Sequence, residues 1–471
     1  MFFNKDLNYC IFLLKLGYMK QIELLAPAGD LNKLKIAFAF GADAVYCGLP
    51  DFSLRVRINQ FDLAKLSEGI EYAHALGKKV YVTINIYAHN KHLLNLDKYI
   101  DKLKQLKPDG LIISDPGVLS VVKNIWPSYA KASDGKPGIA IHLSTQANCT
   151  NWQSAKFWYD QGVKRIILGR EVTLEEIKEI HAKVPEVELE TFVHGAMCMS
   201  YSGRCLLSKY FNDRSANLGD CTQPCRWQYK IKKEKKKEIQ KVIIEEMKRP
   251  DDLLIIEEDQ HGSYIMNSKD LCLVEHLQEL KDAGVMSFKI EGRAKSIYYV
   301  GNTTRVYRRA IDALKEQESK GKYQGKGKDQ RIKNKDNEKY LVELKKAQNR
   351  GFTAGFLFGK DECEQKIDKC HEDCDWEFCG QVIEVGAKLN SAQSANHKMA
   401  CVKVHNQIKV GDDVEFVVPV GENLKYKVEK ILDEEKNEIS EAHGGQDKNI
   451  YLPIEKELPE HTLLRRKLKI I

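Results

Sequence analysis

Four cysteines crowd into one stretch of this chain, HGAMCMSYSGRCLLSKYFNDRSANLGDCTQPCRW, at Cys198, Cys205, Cys221 and Cys225. The spacing is C-x6-C-x15-C-x3-C. Four thiolates can complete the ligation of a cubane iron–sulfur cluster, one per iron. Gly195, Gly203, Gly219 and Pro224 permit the tight turns that convergence needs, and the small and polar residues between them offer backbone N–H groups to the sulfurs. Structural zinc is a second chemistry. Zinc ligands usually come in pairs two to four residues apart, and here only Cys221 and Cys225 fit that. Plain burial of two or three thiols is the third reading, and on spacing alone the three stand level. A further group, Cys363, Cys370, Cys374 and Cys379 with His371 nearby, also admits zinc. Cys10, Cys47, Cys149, Cys272 and Cys401 read as scattered, mostly buried thiols.

The elements that must position these ligands repeat one theme. A short β-rich run ends in a polar or glycine turn and a helical pattern follows. The runs are 22–30, 43–48, 79–85, 110–116, 140–146, 165–171, 189–195 and 287–293. Between them LNKLKIAFAFGA, LAKLSEGIEYAHALGKK, LDKYIDKLKQLKPD and TLEEIKEIHAKV place apolar residues at helical spacing, with Asp30 and Thr173 as N-caps. Strand–helix alternation predicts a parallel sheet, and eight units are the count that closes a barrel. A doubly wound open sheet is the rival, but its usual glycine-rich loop is absent: APAGD is not G-x-G-x-x-G. The expected fold is α/β, a (β/α)8 TIM-like barrel with a cysteine-containing insertion and a small C-terminal antiparallel β-barrel-like domain.

The boundaries follow from texture. About ninety residues separate the last two strands, and this insertion (195–262) holds the four cysteines and then a lysine-rich stretch (230–248). The stretch SIYYVGNTTRVYRRAIDALKEQ closes a barrel spanning 19–315. Residues 316–375 read as a charged linker and connecting segment, with the polar run 317–338 inside it. From 376 to 471 short β-like runs such as FCGQVIEV and DDVEFVVP mark the C-terminal domain.

Composition bounds the rest. A chain of 471 residues exceeds one core, and 43% hydrophobic content suits a globular protein. The net charge of +7 permits a polyanionic partner without requiring one. No apolar run is long enough for a membrane span. Residues 1–18 imitate a signal peptide only weakly, since Lys15 interrupts the apolar stretch and no small-residue cleavage site follows. They read as an N-terminal extension, with the cytoplasm as the expected compartment. There thiols stay reduced, and clustered ones are more often metal ligands than disulfides.

Long runs carry a family resemblance. ELLAPAGDLNKLKIAFAFGADAVYCG, FVHGAMCMSYSGRCLLSKYF, NLGDCTQPCRWQY, EEDQHGSYIMNSKDLCLVEHLQELKDAGVMSFKIEGRAKSIYYV and NRGFTAGFLFG resemble the collagenase-like peptidase family, peptidase U32, over nearly all of 21–360. Despite the family's name, the members most like this chain help install 5-hydroxyuridine at the wobble position of tRNA. The resemblance implies a 4Fe-4S cluster on Cys198, Cys205, Cys221 and Cys225. It also implies prephenate as the source of a small-molecule oxygen donor, and tRNA as substrate. Residues 1–18, the 128–138 loop and the 317–338 run depart from the family pattern without removing a ligand.

The chemistry of a (β/α) barrel lies at the C-terminal ends of its strands. That rule selects Asn85, Asp115, Gln146, Arg170, His194, Glu291 and Arg293. His194, Arg170, Glu291 and Arg293 are the candidate catalytic residues; Asn85, Asp115, Gln146 and Asp270 are candidates for binding substrate. His194 would move protons or hydrogen-bond a sulfide, with a core histidine as the plainer alternative. Arg170 and Arg293 can clamp carboxylate or phosphate bidentately, or can pair with Glu171 or Glu291. Ser268 or Asp270 can instead cap a following helix. Tyr46, Tyr81 and Phe192 can stack a base, or fill the core as barrel aromatics usually do. The lysine-rich segment can touch RNA phosphates or simply be solvated.

Three functions compete. The first is an RNA-hydroxylating enzyme. The second is a peptidase, for which the chain has neither H-E-x-x-H nor G-x-S-x-G. The third is a non-catalytic carrier of the cluster for a partner protein. A homo-oligomer is compatible with each.

Overall fold

The computed structural model describes residues 22–53, 60–126, 138–198, 200–201, 204–205, 207–214, 216, 220–226, 242–246, 249–256, 258–259, 262–263, 268–319, 335–359, 371–386, 398–445 and 448–468. The 1–18 extension, most of the 128–138 loop, residues 230–241 of the lysine-rich stretch, and Cys10, Gly203, Gly219, Cys363 and Cys370 lie outside the described residues.

Eight strands close into a parallel barrel: β1 (Glu23–Pro27), β2 (Ala44–Cys47), β3 (Lys79–Ile84), β4 (Gly110–Ile113), β5 (Ala140–Leu143), β6 (Arg165–Ile167), β7 (Glu188–Gly195) and β8 (Val285–Ile290). Each pairs with the next, and β8 pairs with both β7 and β1. These are the eight runs expected from the sequence. Strands covered on both faces are near-continuously buried, so their runs are rich in Val, Ile and Leu rather than strictly alternating. The helices follow the caps: Asp30 accepts from the Lys33 amide at 2.8 Å, and Thr173 and Glu176 form a reciprocal capping box.

The ring carries two additions. Asp270–Cys272 pairs antiparallel with the end of β7, and Phe352–Thr353 runs parallel to it. Asp270 therefore opens a short strand. The next helix starts at Leu277 without a side-chain cap, so the helix-capping alternative for Asp270 is corrected. The charged run is not all linker either, since its ends join helices Ile297–Ser319 and Lys335–Lys345. Residues 376–467 form a separate curled antiparallel sheet of eight strands, as their β texture predicts. Among the described residues no helix is long and apolar enough to cross a membrane.

The sheet docks on the barrel through a buried ion network. Arg465, fully buried, donates to Glu343 at 2.7 Å, to Glu415, and to the Tyr298 hydroxyl at 2.9 Å. Arg305 joins Glu343 from the barrel's last helix. Val417 and Leu463 of the sheet belong to the barrel's apolar cluster. Burial pushes the Glu343 carboxyl up, but Arg465 and Lys346 outweigh it and hold it at about 2. A carboxyl depressed in the fold contributes stability that is complete above its ordinary value near 4.5 and is lost as pH falls toward 2. The contribution is on the order of 3 kcal/mol. The urea midpoint should therefore fall between pH 5 and pH 3, and the fall should be smaller in Glu343→Gln. Equal pH slopes in the two proteins would exclude Glu343 as the group responsible.

Candidate functional site at the barrel mouth

Alternation along β8 sets the barrel interior. Ser287 and Lys289 fall two residues apart in β8 and so share the inward face, and Glu291 and Arg293 follow just past the strand's end. Barrel interiors are usually filled by branched apolar side chains, yet here the axis is charged. At the N-terminal end Arg165 donates to Glu23, to Glu188 at 3.0 Å and to Glu190 at 3.2 Å. Tyr81 donates to Glu23 at 2.7 Å. One layer higher, Lys289 donates to Glu190 at 2.9 Å, with its ammonium 4.4 Å from the Tyr46 ring centre and 5.4 Å from that of Phe192. Burial lowers the Lys289 ammonium, and the Glu190 charge beside it restores part of that.

The mouth sits on this column. Arg170 lies over Phe192, its guanidinium carbon 3.9 Å from the ring centre, and its Nη2 is 3.9 Å from the Glu291 Oε2. The Tyr46 hydroxyl donates to the Ile290 carbonyl at 3.0 Å and lies 3.4 Å from Glu291. Arg293, buried, donates to Ser53 at 2.7 Å and Thr83 at 3.1 Å, while Thr83 passes its proton to the Cys47 carbonyl. The Arg293 carbonyl leaves no room for a β-carbon on Gly29, which accounts for glycine in APAGD. On the opposite wall Asn85 donates to Ser144 at 3.1 Å and to Gln146 at 3.3 Å. Beside the mouth, a cavity of about 470 Å³ opens between the loops after β2 and β3, lined in part by Phe52, Lys91 and His92.

Of the expected site residues, Arg170, Glu291 and Arg293 gather on one side of the mouth and Asn85 and Gln146 on the other. Asp115 caps helix Pro116–Ile125, accepting from Val118 at 2.9 Å. Asp270 is buried against Arg350, whose amide donates to it at 3.1 Å. Burial alone would raise the Asp270 carboxyl; Arg350 and Lys295 hold it below the usual range. His194 is enclosed by Tyr299, Tyr307 and Phe352, with ring centres 5.5–5.9 Å away. Burial lowers it to about 4, so it is neutral at pH 7. Tyr307 gives its proton to the Val193 carbonyl at 2.7 Å, which assigns the His194 Nδ1 as the donor in its 3.4 Å contact with the Tyr307 oxygen. Tyr46, Tyr81 and Phe192 are each at most 5% exposed, and Tyr81 lies at the far end of the barrel. All three take the core role rather than stacking a base.

The cysteine insertion leaves β7 at Gly195, where φ is +112° and a β-carbon would meet the Glu291 carbonyl at 2.6 Å. Cys198 then emerges exposed just past the buried Met197. Arg204 donates to Asn148 at 3.2 Å, and Asn148 to Glu171 at 3.0 Å, which ties the approach to Cys205 to the loops after β5 and β6. Helix Leu207–Asn212 packs on the turn Pro224–Arg226 that carries Cys225. Ser208 contacts Thr222 at 2.9 Å, and Arg214 pairs with Asp220, fixing the strand of chain that bears Cys221. The Gln223 amide donates to the Cys221 sulfur at 3.3 Å.

None of the four thiols is in a disulfide and none is buried, whereas burial pushes Cys47, Cys149 and Cys272 up to about 12. The donor set and the amide aimed at sulfur suit an iron–sulfur cluster in kind. Among the described residues, however, no three Cys, His, Asp or Glu side chains stand close enough together to hold a metal ion. Cys379 is buried in the C-terminal sheet and Cys374 lies against the Lys346 carbonyl.

Fold and site together define a (β/α) barrel with a thiol-bearing insertion roofing a polar mouth. The family model described as peptidase family U32 matches residues 29–367, and its C-terminal domain model matches 375–465. The chain belongs to peptidase family U32. It is 39% identical to tRNA hydroxylation protein P of Haemophilus influenzae, over 95% of this chain and 96% of that one. The Escherichia coli protein of the same name is 38% identical over 94% and 96%. The 23S rRNA 5-hydroxycytidine C2501 synthase of Escherichia coli is 35% identical over 63% of this chain and 40% of its own length.

The sequence reading missed Lys289, Glu190, Arg165 and Glu23. The signal was present: SFKIEGR alternates polar and apolar residues in a strand that must be covered on both faces.

Proposed function

We propose that this chain is a tRNA hydroxylase of the cytoplasm that converts the wobble uridine to 5-hydroxyuridine. The observation that carries the reading is the near end-to-end match, at 38–39% identity, to two proteins named for tRNA hydroxylation. The rRNA hydroxycytidine synthase adds a second pyrimidine hydroxylation at the same ring position.

In this reading Cys198, Cys205, Cys221 and Cys225 hold a 4Fe-4S cluster, which supplies one-electron chemistry at the mouth when bound. The chain's own residues do the rest. Arg170, fixed flat on Phe192 and near Glu291, offers a bidentate grip on a carboxylate of a prephenate-derived oxygen donor. Asn85 and Gln146 present amide donors and acceptors that match the edge of a uracil ring. Glu291 and the Tyr46 hydroxyl form a short proton path between those walls. A peptidase reading gains no nucleophile from Cys47, Cys149 or Cys272, since burial holds these thiols protonated and a thiolate is the nucleophile.

The test is nucleoside mass spectrometry of tRNA from a strain lacking this gene and any other route to the same hydroxylation. Loss of 5-hydroxyuridine derivatives, restored by the wild-type gene, is expected. Unchanged levels would reject the function.

A further inference from the structure

Exposed aromatic side chains are costly in water and usually scattered. Here they are concentrated. Of the five exposed aromatic residues among those described, three lie between positions 201 and 211: Tyr201 at 63%, Tyr210 at 83% and Phe211 at 49%. Tyr210 and Phe211 meet edge to face with ring centres 5.4 Å apart, so each holds the other's orientation.

Their support is rigid and local. The short helix Leu207–Asn212 is held to the Cys221 segment through Ser208 and Thr222, and the chain before it is held to the mouth loops through Arg204 and Asn148. The Tyr210–Phe211 pair therefore stands between Cys205 and Cys221 in the chain, on a segment tied to the loops of the barrel mouth. Three cations, Arg204, Lys209 and Arg214, lie in the same stretch of chain. Lys209 pairs with Asp213 and Arg214 with Asp220, which leaves the patch mildly positive on a chain of net charge +7.

We infer that Tyr210, braced by Phe211, is a stacking platform for an unpaired nucleotide next to the target base in an RNA loop. This rests on the RNA-modifying reading above. A pyrimidine cannot be reached at C5 inside a stacked helix, so the target must be splayed out and its neighbours must find new stacking partners. An aromatic face beside the mouth serves any base, because every base has a π face. The cations of the same stretch suit the flanking phosphates and would repel a basic peptide.

The experiment uses the full-length protein and three RNAs: an anticodon stem-loop, the same stem-loop with 2-aminopurine beside the target uridine, and a duplex of equal length. Tyr210→Ala should bind the stem-loop roughly 5- to 100-fold more weakly than wild type. Tyr210→Phe should stay within about twofold, and duplex binding should be equal in all three proteins. Wild type should quench 2-aminopurine and Tyr210→Ala should not. Wild-type stem-loop affinity and quenching in Tyr210→Ala would overturn the platform while leaving the RNA reading intact. A wild-type protein with no preference for stem-loop over duplex would overturn both.

Discussion

Purified without oxygen, the Cys221→Ala protein is expected to lose its iron and acid-labile sulfide while keeping its fold. Wild type should carry about four of each per chain if the four thiols hold a cubane cluster. The variant should fall below about one, since a three-thiolate site at this exposed roof is open to solvent. Cys221 is the most informative ligand to remove because its surroundings are the best fixed. The Gln223 amide points at its sulfur at 3.3 Å, and Arg214, Asp220, Ser208 and Thr222 hold the backbone on either side. Truncation removes the sulfur contact but leaves the backbone contacts in place, so circular dichroism should be unchanged. Cys272→Ala is the matched control, because Cys272 is buried against Tyr307 and its thiol is pushed up to about 12 by burial. It should retain full iron. In cells, Cys221→Ala should leave tRNA without 5-hydroxyuridine, as a deletion should. Equal iron in Cys221→Ala and wild type would remove this cysteine from the ligand set, and the cluster reading with it.

The barrel was legible because its signals are local. Eight apolar runs, most of them followed by an amphipathic helix, need no long-range information, and Asp30 and Thr173 cap as their types require. The rule that chemistry sits past the strand ends selected Arg170, Glu291, Arg293, Asn85 and Gln146, which stand on the two sides of the mouth. It could not tell these from Asp115, which also follows a strand but spends its carboxylate on the first turn of a helix. Position gives the end of the strand, whereas partner choice depends on what the next loop does. Asp270 was hidden for a related reason. Its partner Arg350 lies eighty residues away in sequence, and nothing in NSKDL announces that pairing. The axial charges were missed because a barrel strand was expected to be apolar on both faces. Glu23 stood inside an apolar run and Lys289 inside the last strand run.

That axial column gives the second large effect. Glu190 is fully buried and accepts from both Arg165 and Lys289, so it is the one carboxylate shared by the two interior cations. Glu190→Ala leaves the Lys289 ammonium without its hydrogen-bonded carboxylate in a site that water does not reach. Breaking a buried pair from one side typically costs about 3–5 kcal/mol, because the surviving charge keeps its desolvation penalty and loses its compensation. A loss of that size in urea-unfolding free energy is expected. Arg165 suffers less, since Glu23 and Glu188 still hold it. The double variant Glu190→Ala with Lys289→Met should therefore recover much of the loss, since it removes the stranded ammonium and fills its space between Tyr46 and Phe192 with an apolar chain. Function should separate from stability in the same pair. Lys289 lies directly beneath Tyr46 and Phe192, the rings that orient Glu291 and Arg170, so the double variant should fold yet hydroxylate tRNA poorly. A double variant as unstable as Glu190→Ala alone would mean that the column is held by its shape and not by this ion pair.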